Sequence, residues 1–575
     1  MSIFFENLLA IYFLLSLYLF SKRISYIYFK NKNQLNTILI FFLIIILTTY
    51  IIYLFILIGI YQNFISYILI LLVCLIPLFQ ITDLKKIEFI DLFKNKLLII
   101  FIPFFLISLL PASDPDSLDY HLGVAKSWIY TGSIEQNNNW LHYRLGSYGE
   151  IINIFSILFF GSKFLALLKV FSSFIVANYF YQNFKNYKNL NILIIGLISS
   201  PIFIFFISSQ KPQFFGYLLL IFSLIYLIQS KFNILIILIL AYVSALKFSF
   251  IPVVSFIYLF LLIEKRNLFK KIFIYIFIFV IMFWLPILIK NFYFYQNPLS
   301  PFFENLLNNN PNLIINNFAE MLKNFGDNYS SIILQILNIV VPLKSSSFTT
   351  TLGVGFLLIL FIDYKKTINK KLILLALSLI IFNYALGQFS NRYIYLSYFL
   401  ILFCFLNSKS SKFKNIINLS IYSQFFFVYS IALFFLIINF SSLLFTDASN
   451  NFLKKYAYQF NETQWLNKNI KNVSYSSDIR AKSLLKNNHF THEFIYYVDK
   501  DNFNENFLAF VEEKNITKIS LIQDDSLIYK KFINCKKNLK IKKFLLSKRN
   551  FLSKKEQYFR EIFDLDLNNK DCSIK

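Results

Sequence analysis

The chain has 575 residues, of which 57% are hydrophobic and 20% aromatic, while only 15% are charged. Water-soluble domains carry about 25% charged residues, and a single soluble core stops growing near roughly 300 residues, so a soluble globule is excluded. The 12 Gly and 12 Pro exclude collagen-like or linker-rich chains. The net charge of +26 goes with a Lys, Ile and Asn excess typical of AT-rich genomes, so no nucleic-acid partner is expected.

Apolar runs long enough to cross a bilayer, about 17 to 25 residues, recur along the first 445 residues. The clearest, Thr37 to Ile60, holds no charged residue. The stretch 232–263 is interrupted by Lys247 and Pro252, and we interpret it as two spans that turn at Lys247. With that hairpin the sequence predicts fourteen transmembrane helices, the others near 3–20, 37–60, 65–81, 97–111, 164–181, 190–207, 213–229, 272–289, 351–363, 372–387, 393–406 and 416–440.

The distribution of Lys and Arg predicts which side each loop faces, because short cytoplasmic loops are enriched in these residues. Most of the basic residues before 446 fall in alternate loops, such as the one with Lys22 and Arg23. The loops 112–150 and 290–350 and the tail from 446 then face outward. The apolar piece of the second loop is expected to lie in the membrane interface as a lid.

The composition changes after the last apolar run, so we expect a polytopic domain at 1–445 and a soluble domain at 446–575. The second region holds 24 of the 56 basic residues and no run that could cross a membrane. Its Cys535 and Cys572 are compatible with either a disulfide or two free thiols. Alternating patterns predict a small α/β unit, with helices at 451–467, 501–514 and 526–532 and strands at 494–498 and 518–522.

The outward loop 112–150 concentrates polar chemistry, with Asp114, Asp116, Asp119 and His121 within eight residues of each other. In one interpretation Asp114 and Asp116 cap a helix that begins near Ser117, since carboxylates suit a helix N-terminus. In the other, a carboxylate acts as a general base or helps to bind a divalent cation. No ligand spacing assigns an ion, so the cofactor is unknown.

Four cations are predicted at the outer ends of spans. Each one alone is compatible with an interfacial residue that extends its charge into water. Together, on the same side as the acidic loop, they suit a pocket for a polyprenyl phosphate, because a phosphate leaving group needs positive charge around it. These residues are Lys211, Lys247, Lys290 and Arg392.

Several segments carry a resemblance to a known family. They are Asp116-Ser-Leu-Asp-Tyr-His-Leu with Trp128 and Thr131-Gly-Ser, Gly149-Glu150-Ile-Ile leading to Gly161, Leu246-Lys247-Phe-Ser, Trp284-Leu-Pro to Lys290-Asn with Gln296-Asn-Pro-Leu-Ser-Pro-Phe-Phe303, and Arg392-Tyr393. In order and placement they resemble the GT-C superfamily of polytopic glycosyltransferases, which includes protein mannosyltransferases and the aminoarabinose transferase of lipid A. Two departures are that three helices precede the one entering the first loop, and that Lys211 stands where many members have an acidic residue.

The resemblance implies that Asp116 is the catalytic carboxylate, Glu150 a second acidic residue, and Lys247 and Arg392 phosphate contacts. Asp119 is the third catalytic candidate. The other residues expected to bind substrate are Tyr120, His121, Lys211 and Lys290.

The implied reaction transfers a sugar, with inversion, from a polyprenyl-phosphate donor to an outward-facing lipid or glycan acceptor. The expected place is a bacterial inner membrane, with the C-terminal domain on the periplasmic side. Three alternatives stay open: a flippase for lipid-linked sugars, a polysaccharide polymerase or ligase, and a non-enzymatic receptor or assembly protein. A pump or ion-coupled transporter would carry carboxylates in mid-span, and none is found there.

Overall fold

The structure is a computed structural model. It describes residues 2–30, 33–79, 96–134, 140–159, 161–229, 233–303, 332–343, 345–385, 390–407, 412–486, 489–491, 503–523, 527–546, 556–567, 569 and 572.

The first 445 residues are helical wherever the structure describes regular elements. The α-helices, numbered over the described residues, are α1 (Ile3–Phe29), α2 (Gln34–Ile58), α3 (Asn63–Phe79), α4 (Lys96–Ser108), α5 (Leu122–Thr131), α6 (Leu141–Leu145), α7 (Tyr148–Phe159), α8 (Phe164–Asn183), α9 (Leu190–Ser199), α10 (Pro201–Ser208), α11 (Gln213–Gln229), α12 (Ile234–Leu246), α13 (Ile251–Glu264), α14 (Phe269–Tyr295), α15 (Ile332–Val340), α16 (Thr367–Ala385), α17 (Tyr395–Cys404) and α18 (Lys412–Asn439).

Shorter turns of other helical types join these elements. A π-helical turn covers Ser117–His121, and the 3₁₀ turns of this region are Phe248–Phe250, Arg266–Leu268, Ser345–Thr350, Val354–Phe361, Asn391–Ile394, Phe405–Asn407 and Phe440–Leu443.

Within the described part of the chain, six helices are long and apolar enough to cross a membrane, or seven if the bent pair α9 and α10 forms one span. The clearest is α2, whose 25 residues extend about 38 Å at 1.5 Å per residue, more than the roughly 30 Å apolar core of a bilayer. It begins where the Asn33 side chain accepts a hydrogen bond from the Leu35 N–H, and it ends at Gly59, whose φ is 78°. The protein is thus helical with several candidate membrane spans, while the count of fourteen stays a prediction.

Three of the predicted apolar runs are interrupted or irregular in the structure. The single span predicted at 190–207 is two helices that meet at 61°, because Pro201 begins α10 and has no N–H to continue the preceding ladder. The hairpin predicted in 232–263 is present, with α12 ending before Lys247 and Pro252 in the first turn of α13. The run predicted at 351–363 is a 3₁₀ segment rather than an α-helix.

The tail contains a five-stranded mixed sheet with helices around it. The elements are α19 (Thr446–Tyr456), α20 (Phe460–Asn469), β1 (Ser474–Ser476), a 3₁₀ turn at Lys482–Leu484, β2 (His489–Phe490), α21 (Phe503–Glu513), β3 (Lys518–Ile522), α22 (Leu527–Lys531), a 3₁₀ turn at Ile533–Cys535, β4 (Lys536–Leu546) and β5 (Glu556–Leu565). The strand order is β2-β1-β3-β5-β4, in which β1 pairs in parallel with β2 and β3, while β5 is antiparallel to β3 and β4.

The strand predicted at 518–522 is β3, whereas β1, β2, β4 and β5 were not predicted, and the strand predicted at 494–498 lies outside the described residues. The helix predicted at 451–467 is two helices, α19 and α20, separated at Ala457–Gln459, where Gln459 has a φ of 52°. A disulfide joins Cys535 to Cys572. Ile519 of β3 and Phe563 of β5 are paired across the sheet and lie on one face, where they pack with Phe507 of α21 in the core of this unit.

Candidate functional site

The acidic motif of the outer loop folds as a π-helical turn, a form that is frequent at functional sites. Asp114 is its capping residue, because an oxygen of its carboxylate accepts a hydrogen bond of 3.0 Å from the Ser117 N–H. The side chain of Asp116, next to the turn, makes no capping hydrogen bond. The capping interpretation of this motif therefore applies to Asp114, whereas the carboxylate of Asp116 is directed to other partners.

Those partners are cations from distant parts of the chain. Lys211 Nζ lies 2.6 Å from one carboxylate oxygen of Asp116, and Arg480 Nη2 lies 3.6 Å from the other. Lys211 is only 3% exposed and also lies 3.8 Å from Asp114. Asp116 thus lies between a buried lysine of the membrane part and an arginine of the tail.

The position of Lys211 follows from the broken helices around it. It lies between α10 and α11, where the Gln210 N–H donates to the Ser117 hydroxyl at 2.7 Å. Buried Lys169 of α8 donates to the carbonyls of Ser209 and Lys211, and also of Phe206, so it satisfies the open end of α10. The sequence shows Lys169 only as a lone cation in an apolar run, and it was not predicted to contribute to the site.

A second polar pair lies beside the first. His121 Nδ1 is 3.0 Å from a carboxylate oxygen of Glu150, whose other oxygen accepts the Ser147 N–H at 2.9 Å. Burial, together with Lys247 and Lys211, holds the pKa of His121 well below its usual range, and burial raises the pKa of Glu150 to about 7. His121 is therefore neutral at pH 7. Its buried Nε2 atom pairs with no group among the described residues, so it can form a hydrogen bond with a substrate.

Gly149 allows three of these segments to meet. A Cβ atom at this position would lie 2.5 Å from Pro212 and 3.2 Å from the Leu246 carbonyl, so a larger residue would push the segments apart. The Ser147 hydroxyl also donates to the Leu246 carbonyl at 2.8 Å. The start of α7 is thereby packed against the residues that follow Lys211 and precede Lys247.

Arg392 joins the same cluster through Tyr393. Its guanidinium donates to the Tyr393 hydroxyl at 3.1 Å. Burial acts to raise the pKa of Tyr393, but the charges of Arg392, Lys247 and Lys211 outweigh it, so the pKa is below its usual value. Three of the four predicted cations are therefore near one phenol, although they are separated by up to about 180 residues in the chain.

Lys290, the fourth predicted cation, has a different environment. It is fully buried in α14 and donates to the carbonyls of Arg144 and Gly146 at 2.7 and 2.8 Å. It therefore holds the short helix α6 and the turn before Glu150 in place through the backbone.

Tyr120 and Asp119 complete the predicted residues. The ring of Tyr120 stacks on His142, with centroids 4.1 Å apart and planes at 7°. Asp119 is buried, and burial raises its pKa to about 8 although Arg480 and Lys482 lower it. Its electrostatic environment thus comes from the tail, whose Arg480 and Lys482 sequence reasoning missed.

Among the described residues, no group of three or more His, Cys, Asp or Glu side chains has a geometry that could hold a metal ion.

The sequence pattern of one family, the DUF1420 N-terminal domain, matches residues 66–438. The chain belongs to this family. All nine predicted site residues lie inside the matched range, whereas Arg480 and Lys482 lie outside it. No curated protein and no solved structure matches the chain, so the resemblance to GT-C transferases stays a prediction.

Proposed function

We propose that this protein is a membrane glycosyltransferase that moves a sugar from a polyprenyl-phosphate donor to an outward-facing lipid or glycan acceptor with inversion at the anomeric carbon. The observation that carries the proposal is the joining of Asp116 to Lys211, with Lys247 and Arg392 nearby. One carboxylate beside a group of cations suits a reaction that removes a proton and releases a phosphate.

In the proposed reaction an acceptor hydroxyl attacks the anomeric carbon from the face opposite the phosphate. A bond forms between the acceptor oxygen and this carbon, the bond from the carbon to the phosphate oxygen breaks, and the phosphate keeps the electron pair. The acceptor proton passes to the carboxylate of Asp116, which lies beside Lys211 and Arg480. Lys211, Lys247 and Arg392 stabilise the charge that develops on the departing phosphate.

The neighbouring residues position the substrates. Neutral His121, oriented by Glu150, presents Nε2 to form a hydrogen bond with a hydroxyl of the sugar or of the acceptor. The stacked Tyr120 and His142 rings supply a flat surface, which suits contact with a sugar ring. Lys290 acts through the loop carbonyls that it binds.

Two features support an outward-facing site. The disulfide of the tail is typical of an oxidising compartment outside the cytoplasm. The tail also contacts the loop with the acidic motif, since the Tyr458 N–H donates to the Ser113 carbonyl at 3.1 Å, and both must then lie on the same side. Our proposal therefore includes the periplasmic side of a bacterial inner membrane, with fourteen crossings.

The test is mass spectrometry of envelope glycans and polyprenyl-linked sugars in a strain that lacks the protein. The strain is complemented with wild type, Asp116→Asn or Asp114→Asn at equal protein levels. We expect one sugar modification to vanish in the null strain while its lipid-linked donor accumulates. Wild type and Asp114→Asn should restore the modification, and Asp116→Asn should not.

Other outcomes point to other functions. Accumulation of the donor only on the cytoplasmic face of the membrane would support a flippase and contradict the proposal. An unchanged glycan and donor profile in the null strain would contradict a transferase acting on envelope glycans. Full restoration of the modification by Asp116→Asn would show that Asp116 is not the carboxylate that accepts the proton.

A further inference from the structure

The tail contacts the acidic motif directly. The Ser483 hydroxyl donates to the Leu118 carbonyl at 2.6 Å, and Lys126 Nζ donates to the Ser483 carbonyl at 3.0 Å. A shared apolar cluster covers the junction, formed by Ala112, Leu118 and Leu122 of the loop with Ala457, Phe460 and Ala481 of the tail. The π-helical turn and the segment 479–485 therefore form one packed unit.

Within this unit the tail holds Arg480 in a defined place. The Gln459 side-chain amide donates to the Asp478 carbonyl at 2.8 Å and accepts the Arg480 N–H at 2.7 Å. The neighbours Ile479 and Ala481 are fully buried. The backbone on both sides of Arg480 is fixed, while its side chain is 43% exposed beside Asp116.

The contact between Arg480 and Asp116 is loose. At 3.6 Å it is longer than a hydrogen bond, unlike the 2.6 Å contact of Lys211 with the same carboxylate. A guanidinium binds phosphate through two parallel hydrogen bonds, so a phosphate group that entered the cluster could bind Arg480 beside Lys211.

Several cations meet at this place. Lys211 and Arg480 both lie beside Asp116, and the charges of Lys211, Lys247 and Arg392 all act on the Tyr393 hydroxyl. A group of cations of this kind suits an anionic ligand such as a phosphate.

We propose that Arg480 is a phosphate-binding residue of the site, supplied by the C-terminal domain to the prenyl-phosphate group of the donor and leaving group. This inference rests on the proposed function. It also gives the tail a direct role, because the family-matched region 66–438 lacks this residue.

The test measures binding of farnesyl monophosphate to the purified full-length protein in detergent by isothermal titration calorimetry, with farnesol as the uncharged analogue. The proteins are wild type, Arg480→Ala and Lys486→Ala, a matched control that removes an exposed cation of the same domain. We expect wild type to prefer the phosphate over farnesol, and Arg480→Ala to weaken phosphate binding about 10- to 100-fold, as for a hydrogen bond to a charged group. Farnesol affinity should not change, and Lys486→Ala should match wild type.

The outcomes separate the two proposals. If wild type does not prefer farnesyl monophosphate over farnesol, the polyprenyl-phosphate function fails and the inference with it. If wild type shows the preference and Arg480→Ala keeps it, the function stands and the role of Arg480 is overturned. If Arg480→Ala does not fold, Arg480→Gln, which keeps most of the side-chain volume, replaces it under the same criteria.

Discussion

Asp114 and Asp116 are two positions apart and chemically identical, yet the structure gives them different partners. Asp114 accepts a backbone N–H of the π-helical turn, whereas Asp116 lies between Lys211 and Arg480. Substitution of each by Asn keeps the shape and removes the charge. The pair of variants therefore separates a capping role from a chemical one within a single loop.

The expected magnitudes differ widely. Asn and Asp are about equal as N-terminal caps, so Asp114→Asn should change transfer by less than about threefold, equivalent to about 0.7 kcal/mol. A general base typically contributes about 10²- to 10⁴-fold, or about 3 to 5 kcal/mol of barrier. Asp116→Asn should therefore lower transfer by at least about 100-fold.

The assay follows the loss of label from a polyprenyl-phosphate-linked sugar in membrane vesicles, once mass spectrometry has identified the sugar. Because Asp116→Asn leaves buried Lys211 with the more distant Asp114 carboxylate, the thermal midpoint of each purified variant is measured beside the activity. Equal activity of the two variants, with both folded, would refute the assignment of chemistry to Asp116 alone.

Three further predictions concern the surroundings of the site. Asp119→Asn should become less stable relative to wild type as the pH falls from 7 to 5. Because the pKa of Asp119 is raised to about 8 in the folded protein, its carboxyl group contributes most to the free energy of unfolding at low pH. In wild type this contribution declines by up to about 1.4 kcal/mol per pH unit as the pH rises from about 4 to 8. Thermal midpoints at several pH values test this, and parallel curves would contradict it. Lys290→Met should lose about 2 kcal/mol or more, since two buried carbonyls lose their donor; exposed Lys271→Met of the same helix should lose little in thermal denaturation. Replacing both Cys535 and Cys572 with Ser should destabilise the tail by about 4 kcal/mol for a 37-residue separation, and equal proteolysis of the tail in both proteins would argue against it.

Local sequence was sufficient where neighbours in the chain are also neighbours in space. The density of Asp and His between 114 and 121 identified the acidic turn, and the apolar runs identified helices such as α2. The predicted membrane topology added to the description of the site, because it placed cations from separate spans on the same side as the acidic loop. One of them, Lys211, contacts Asp116 directly. The hairpin at Lys247 was also evident, because a charge followed by proline interrupts an apolar run.

The rest of the fold depends on features that are less visible in the pattern. The length of an apolar run does not show where a helix bends. The run 190–207 is therefore predicted as one span, although a second helix begins within it at Pro201. The strands β4 and β5 were missed because β4 is rich in Lys and contains a bulge between Lys537 and Lys540 that disturbs the alternation. Hydrophobic periodicity is a weak signal in such a strand.

Arg480 was missed for a different physical reason. It is one of 24 basic residues in the tail, and nothing in its own neighbourhood distinguishes it, since its position depends on Gln459 and on contacts with the loop more than 300 residues earlier. The capping pattern of α20 gives no hint either, because Gln459 uses its side chain to hold the Asp478–Arg480 backbone instead of its own helix. The tail thus completes a cluster whose other cations lie at breaks between apolar helices. Because the contact of Ser483 with the loop helps to place Arg480, substitutions that loosen this junction should weaken phosphate binding while both halves stay folded.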